Sequence, residues 1–397
     1  MPYLSSKKLG LGFLFFLLVL THLDAQDKPK MAHPILGEIP QKVEDEFHPV
    51  VEKVKVEVWV DSLTIPWSLS FLPNGDALVA QRPGSIVRIP SGSNEHLPYL
   101  DVPGVVHEVD AGLMGMALHP DFKNNSWVYV MHTYRNGTNE LTSKVVRLKH
   151  EGKTAIVDKI IIDDIPAFAI HLGGRIAFGP DGMLYIGTGD MSQPFLAQDI
   201  NSLASKILRI TPEGEIPSDN PYKNSPVYSY GHRVVQGFAW DPETGEMFSS
   251  EHGPSGAEVE GSVRFRDEIN RIQKGGNYGW PLVVGAPNIN EYIDPVVIWN
   301  KEAVPPAGMV FYKGDLFVAS LGGQALIRVV MDRDKEYEVL KVQRWFSYAP
   351  SKGIYGRIRD VAIGPDGHMY LTTSNTDGRA ETRIHDDKIL RITFGED

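Results

Sequence analysis

Ile176-Ala-Phe-Gly-Pro180-Asp-Gly182 runs into a second apolar stretch, Met183-Leu-Tyr-Ile-Gly187, and later into Ile207-Leu-Arg209-Ile210. An apolar strand, a Pro-Asp-Gly turn, a second apolar strand and a short apolar-Arg-apolar strand make one hairpin-based unit. The unit recurs on both sides. Before it stand Leu69-Ser-Phe-Leu-Pro73-Asn-Gly75 and Met116-Ala-Leu-His-Pro120-Asp-Phe122. After it come Phe238-Ala-Trp-Asp-Pro242, Met309-Val-Phe-Tyr-Lys-Gly314 and Val361-Ala-Ile-Gly-Pro365-Asp-Gly367. Each copy closes on an arginine strand, with Arg88, Arg147, Arg271, Arg328 and Arg391 matching Arg209. The six copies are spaced 47 to 71 residues apart. A sheet of this size cannot bury both faces alone, so six in series imply radial packing: an all-β, six-bladed β-propeller.

Short outer strands ending in proline lie before the inner strands, as in Tyr99-Leu-Asp-Val-Pro103 and Ile161-Ile-Asp-Asp-Ile-Pro166. A similar segment, Val56 to Pro66, precedes the first copy, while only Thr393-Phe-Gly-Glu-Asp397 follows the last closing strand. Residues 55–63 are therefore expected to supply the outer strand of the last blade, which pairs two otherwise exposed edges. The propeller domain then spans 55–397. Residues 26–54, rich in Pro, Lys and Glu without periodicity, read as a linker whose removal should cost little. Residues 1–25 read as a cleaved export signal, because Lys7 and Lys8 precede an apolar run from Leu9 to Leu20 that is too short for a comfortable membrane span. The protein is thus expected to be secreted, periplasmic or on the extracellular surface, with no stable membrane span after cleavage.

The 397-residue chain carries a net charge of −11 with no basic block, which argues against a nucleic-acid partner. It has no cysteine, so disulfides, Cys-zinc sites and thiol nucleophiles are excluded.

In a propeller the loops entering the inner strands converge on the central channel. Here those loops carry Ile170-His171-Leu-Gly173-Gly174-Arg175, Gly231-His232-Arg233 and Tyr355-Gly356-Arg357-Ile-Arg359. A histidine and several arginines around one axis suit an anionic or oxyanion-bearing ligand. If Asp181-Gly182 is a two-residue turn, His171 falls opposite Ser192 and Asp190 opposite Gly173. Asp190 then returns within reach of His171, where a carboxylate fixes the imidazole tautomer and raises its basicity. The same count brings Asn375 near Arg357 and Arg359, and a looser turn at Thr244-Gly245 returns Glu251-His252-Gly253-Pro254 beside Arg233. The six repeated arginines are structural, because every blade has one at the same place. Gly187-Thr-Gly189 is half a dinucleotide fingerprint without a following helix, and is set aside.

Taken together, Gly112 to Phe122, His171 to Arg175 with Gly189-Asp190, Tyr230-Gly-His-Arg233, Ser250-Glu-His-Gly-Pro254, Asn277-Tyr-Gly-Trp-Pro281 and Gly356-Arg-Ile-Arg-Asp360 resemble the soluble quinoprotein glucose and aldose sugar dehydrogenases, also called glucose/sorbosone dehydrogenases. The resemblance covers residues 55–393. It implies pyrroloquinoline quinone (PQQ) and Ca2+ as cofactors, an aldose substrate oxidised at its C1 hydroxyl to a lactone, and a separate electron acceptor. It implies His171 as general base, Asp190 as its orienting carboxylate and Arg233 as stabiliser of charge on the quinone oxygen. Gln81, Arg357 and Arg359 would join Arg233 as cofactor contacts, and the carbonyls of Gly253 and Pro254 would ligate calcium. Three positions depart from the family pattern. Val234 stands where Asn is frequent, Gly322 where a lysine commonly contacts the cofactor, and a longer loop between Pro254 and Asp267 carries Glu258 and Glu260. Those glutamates are either extra calcium ligands or a solvated insertion. The alternatives to an oxidoreductase are a calcium-dependent lactonase-type hydrolase and a non-catalytic propeller that binds a carbohydrate or a protein.

Overall fold

The computed structural model describes residues 30–379 and 385–395, so the export signal expected over 1–25 lies outside the described residues. Six sheets of four or five strands stand around an axis. Their inner strands are Pro66–Phe71, Leu113–Leu118, Gly173–Phe178, Val235–Trp240, Pro306–Tyr312 and Ile358–Ile363. Each inner strand packs on that of the next blade, and the sixth packs on the first. The six-bladed propeller is therefore borne out. Among the described residues no helix is long and apolar enough to cross a membrane.

The core lies between blades. Met131 of the second blade packs with Ile176, Ile186 and Leu208 of the third. Val79 and Ile89 of the first pack with Val60, Tyr370 and Ile389 of the sixth. Three of the repeated arginines tie a turn to the strand beyond it: Arg88 Nη1 lies 2.6 Å from Asp76, Arg209 Nε 2.9 Å from Asp181 and Arg391 Nη2 2.8 Å from Asp366. Those carboxylates sit at the turn or on the second strand, so each pair fixes a turn to the strand beyond it.

Closure follows the expected route. Val54–Val60 pairs antiparallel with Ile389–Phe394, running from Val60 opposite Ile389 to Val54 opposite Phe394. The linker expectation for 26–54 is corrected over its described part. Ile35–Leu36 pairs in parallel with Val283–Val284, and Asp45–His48 adds a fifth, parallel strand to the outer edge of the fifth blade. Asp45 also ion-pairs with the buried guanidinium of Arg344, whose other partner is Glu302 at 2.7 Å. Local periodicity did not reveal this arm because it borrows its pairing from strands already complete in themselves.

One irregularity recurs in all six blades. The inner hairpin carries a register shift near the start of its inner strand, at Pro66/Ser68, Leu113/Met116, Gly173/Ile176, Val235/Gly237, Pro306/Met309 and Ile358/Asp360. Bulges of this kind re-aim side chains at the ends of strands.

Candidate active site

At the bulged ends of the inner strands the blades enclose a cavity of about 440 Å³. Every blade or the loop leading into it contributes, with Trp67, Asp110, His171, Arg233, Pro305 and Arg357 as one example from each.

The third blade builds its floor. The expected two-residue turn is not what forms: Phe178 pairs with Leu184 and Ile176 with Ile186, and beyond the bulge Gly173 pairs with Thr188 rather than Asp190. The register therefore differs from the count, and the difference brings His171 itself across from Asp190. His171 Nδ1 lies 2.9 Å from Asp190 Oδ1. The bulge needs glycine: a Cβ on Gly189 would lie 1.9 Å from the His171 carbonyl oxygen, and Gly173 has a φ of +76° with its Cβ position 2.7 Å from Gly187 O. His171 is itself left-handed, with a φ of +58°, a strained backbone of the kind held at functional positions.

Asp190 is fully buried. Its Oδ1 also accepts the Ser192 amide at 2.9 Å, and its Oδ2 accepts the Trp280 indole N–H at 3.0 Å. Burial alone would push the carboxyl up. The His171 hydrogen bond, the Arg233 charge and the Ser192 amide overcome this and hold it below the usual carboxylate value. An ionised Asp190 must accept from His171 Nδ1–H, so Nε2 carries the imidazole lone pair. That lone pair accepts from Arg233 Nη2 at 3.0 Å.

Arg233 is buried and held on its remaining sides. Its Nη1 donates to His252 O at 3.0 Å, and its Nε donates to Glu260 Oε1 at 2.7 Å. The open question over the long loop is thereby answered differently for its two glutamates: Glu258 is exposed to solvent, whereas Glu260 is buried against Arg233. His171, Asp190 and Glu260 bring three potential ligand atoms within 4.8 Å of one another, a grouping a metal could use. Here the Arg233 guanidinium supplies the positive charge, its Nη2 2.6 Å from Glu260 and its Nε 4.0 Å from Asp190.

Across the cavity Arg357 binds Asp377 Oδ2 through Nε and Nη2 at 3.0 and 2.9 Å, while Asn375 Oδ1 accepts its backbone N–H. Arg359 Nη1 donates to Gln236 at 2.9 Å, and its guanidinium lies 5.3 Å from the Trp67 ring. Burial, reinforced by the Arg82 and Arg357 charges against that of Asp377, pulls Arg359 down to about 9. Among the described residues its Nε is buried without a partner, as is His252 Nε2. Buried polar atoms of this kind want a hydrogen-bond partner. Arg233, Arg264, Arg357, Arg359 and Arg379 face the cavity against Asp110, Asp267 and Asp377, and burial pushes Asp267 up to about 6.

The predicted residues do not all converge. His171, Asp190 and Arg233 form one constellation, with Arg357 and Arg359 on the same cavity. Gly253 and Pro254 line it too. Gln81 does not line it: its Oε1 accepts the Thr64 amide at 2.6 Å and its Nε2 donates to Ser85 Oγ at 3.0 Å. Its amide is engaged with Thr64 and Ser85, beside the first blade's inner hairpin. Val234 forms an apolar part of the wall. At Gly322 a Cβ would meet Pro305 at 2.8 Å, so a longer side chain there requires that wall to shift. Sequence reasoning missed Glu260, Trp280 and Asp377 as partners. Trp280 had a signal inside Asn277-Tyr-Gly-Trp-Pro281, and Glu260 was noticed only as a possible calcium ligand or solvated residue.

One half-buried acid nearby makes a separate prediction. Glu268 lies across from Glu251, and Asn270 Nδ2 bridges the two at 2.9 Å each. Burial, with the Glu251 charge, raises Glu268 to about 8. The folded protein then keeps a proton that the unfolded chain releases above its ordinary carboxyl pKa, so stability falls as pH rises from about 4.5 to about 8. Glu268→Gln removes this slope. Melting temperatures across that range should show the variant gaining on the wild type with rising pH, and parallel curves would exclude the effect.

The family model for glucose/sorbosone dehydrogenase matches residues 63–389. Aldose sugar dehydrogenase YliI of Escherichia coli is 31% identical over 356 residues, covering 82% of this chain and 91% of that one. Quinoprotein glucose dehydrogenase B of Acinetobacter calcoaceticus is 32% identical over 273 residues, covering 61% of this chain and 55% of that one. The PQQ-bound structure of aldose sugar dehydrogenase from Streptomyces coelicolor superimposes with a TM-score of 0.76 at 37% identity, covering 86% of this chain and 98% of that one.

Proposed function

Because the chain belongs to the glucose/sorbosone dehydrogenase family, we propose that it is a PQQ-dependent aldose sugar dehydrogenase that is exported and oxidises the C1 hydroxyl of an aldose to a lactone. The observation that carries this reading is the His171–Asp190 pair at 2.9 Å, with the Nε2 lone pair turned toward a cavity rich in arginine.

The cavity suits a planar polyacid. The Nε of Arg359, buried and unpartnered among the described residues, and the excess of arginine over aspartate in the described lining fit a ligand bearing several carboxylates, for which guanidinium forks are matched. Arg357 and Arg359 would hold those carboxylates, and Arg233 would face the quinone oxygen. Gly253 and Pro254 offer backbone carbonyl oxygens to the same cavity, donors of the hard type that calcium takes. PQQ, when bound beside Ca2+, supplies the two-electron acceptor for the C1 hydride. The protein's own part is proton handling and orientation. His171 Nε2 takes the hydroxyl proton, Asp190 fixes the ring by accepting from Nδ1–H, and the Trp280 indole with the Ser192 amide keeps Asp190 ionised and in place. Arg233 must yield its hydrogen bond to Nε2 for substrate to approach, and its charge remains beside the site where negative charge develops. A separate electron acceptor would take up the two electrons to complete turnover.

A lactonase-type reading fares less well, because the one grouping of acid and histidine ligands among the described residues encloses a guanidinium. Titrating apo-protein with PQQ and Ca2+ tests the proposal. Uptake should change the quinone absorbance, raise the melting temperature and confer dye-linked oxidation of aldoses, all prevented by chelator. With Val234 in the wall and Gly322 behind Pro305, where the family often has Asn and Lys, affinity is expected to be lower than is usual in the family. If saturating PQQ alters neither absorbance nor melting temperature, the enzyme reading falls and a binding propeller replaces it.

A further inference from the structure

We propose that Glu260 is a positioning residue that aims Arg233 at His171, and that the N-terminal arm, residues 32–38, holds Glu260 in place. The inference rests on the dehydrogenase reading for its catalytic meaning, but its geometry stands apart from any cofactor.

Glu260 is 1% exposed and uses both oxygens. Oε1 takes Arg233 Nε at 2.7 Å and Nη2 at 2.6 Å. Oε2 takes the Ser255 amide at 2.9 Å, the Ser255 hydroxyl at 3.0 Å and the Ala257 amide at 3.3 Å. One carboxylate thus closes its own loop and sets the plane of the guanidinium, leaving Arg233 Nη2 directed at His171 Nε2. A buried guanidinium that loses its carboxylate must find another. The nearest is Asp190, whose Oδ2 is 4.0 Å from Arg233 Nε. Collapse in that direction would set Arg233 in competition with His171 for the carboxylate that orients the imidazole.

The loop carrying Glu260 is braced from outside. The Ala32 amide donates to Val259 O at 2.8 Å, and Ala32 is fully buried. Gly261, with a φ of +67°, presses on the arm: a Cβ there would lie 2.4 Å from Ala32 O. The arm then runs along the segment after Trp280, with Ile35 N–H donating to Leu282 O at 2.9 Å and Gly37 N–H to Val284 O at 2.8 Å. It therefore touches both segments that reach the His171–Asp190–Arg233 group from the side.

The test uses the full chain with Glu260→Gln, which keeps the volume, and Gly261→Ala, which acts on the arm without entering the cavity. In apo-protein, hydrogen exchange at the Ser255 and Ala257 amides should speed up in Glu260→Gln, and exchange at Ala32 in Gly261→Ala. In PQQ-saturated enzyme, Glu260→Gln should lower kcat by about tenfold to a hundredfold, the scale of a misaimed catalytic group, with the sugar KM little changed. Gly261→Ala should lower kcat in the same direction by less. Unchanged exchange, or unchanged kcat in saturated Glu260→Gln, overturns the positioning role. So does a loss of kcat that tracks only a fall in melting temperature. If exchange responds as expected but neither wild type nor variant takes up PQQ, the Glu260 brace stands and the quinoprotein reading fails.

Discussion

His171→Gln is expected to lower aldose turnover by about two to four orders of magnitude, the usual contribution of a positioned base, while PQQ binding stays within a few-fold. Glutamine suits the site. Its amide can donate to Asp190 Oδ1 and accept from Arg233 Nη2, the two bonds that His171 makes at 2.9 and 3.0 Å, so the cavity should survive. What is lost is the basic ring nitrogen that would accept the hydroxyl proton. Asp190→Asn should cost less and should change the pH profile of the rate, because the imidazole remains but loses the carboxylate that fixes its tautomer. Arg233→Ala should weaken both cofactor binding and turnover. Steady-state rates and a PQQ titration for each variant separate these outcomes, and near wild-type turnover in His171→Gln would remove the base assignment while leaving the fold and cofactor proposals standing.

Deletion through residue 64 is expected to abolish folding, whereas deletion through residue 50 should leave a folded but weakened propeller. The first removes Val54–Val60, whose pairing with Ile389–Phe394 closes the ring, and Leu63, whose amide donates to Asp387 O at 3.1 Å. Without them the sixth blade ends on an open edge and the core between the first and sixth blades loses Val60 and Leu63. The shorter deletion keeps that strand but takes away the arm. Arg344 is then left buried without Asp45, retaining only Glu302, and one buried charge with half its compensation costs stability. Thermal melts of the two truncations should show a cooperative transition at reduced temperature for the shorter deletion and none for the longer. Equal behaviour would refute the closing role of Val54–Val60.

How much was legible follows from the range over which each feature is encoded. The strand–turn–strand phrase, its six copies and the arginine that ends each were readable because strand periodicity and turn chemistry act within a few residues. The closing strand was readable because blade size is regular. The neighbourhood of His171 and Asp190 was also readable, since a hairpin must bring its two ends together whatever its turn. Their contact was expected too, but the register that makes it was not. A bulge near the start of the inner strand shifts the register, and the required glycines, Gly173 and Gly189, carry no signature distinguishing them from turn residues.

The sequence by itself thus determined the architecture, the closure and most of the side chains gathered at the cavity, all properties of local pattern repeated around an axis. Tertiary structure alone decided which partner each functional group has. Arg233 meets Glu260 across 27 residues, Asp190 meets Trp280 across 90, and Arg344 meets Asp45 across 299. It also placed Gln81 outside the cavity and turned a supposed linker into a brace. The physical reason is common to these cases. A buried charge or amide is stable only beside its complement, and the complement may come from any segment that the closed ring carries into reach, which no short-range pattern specifies.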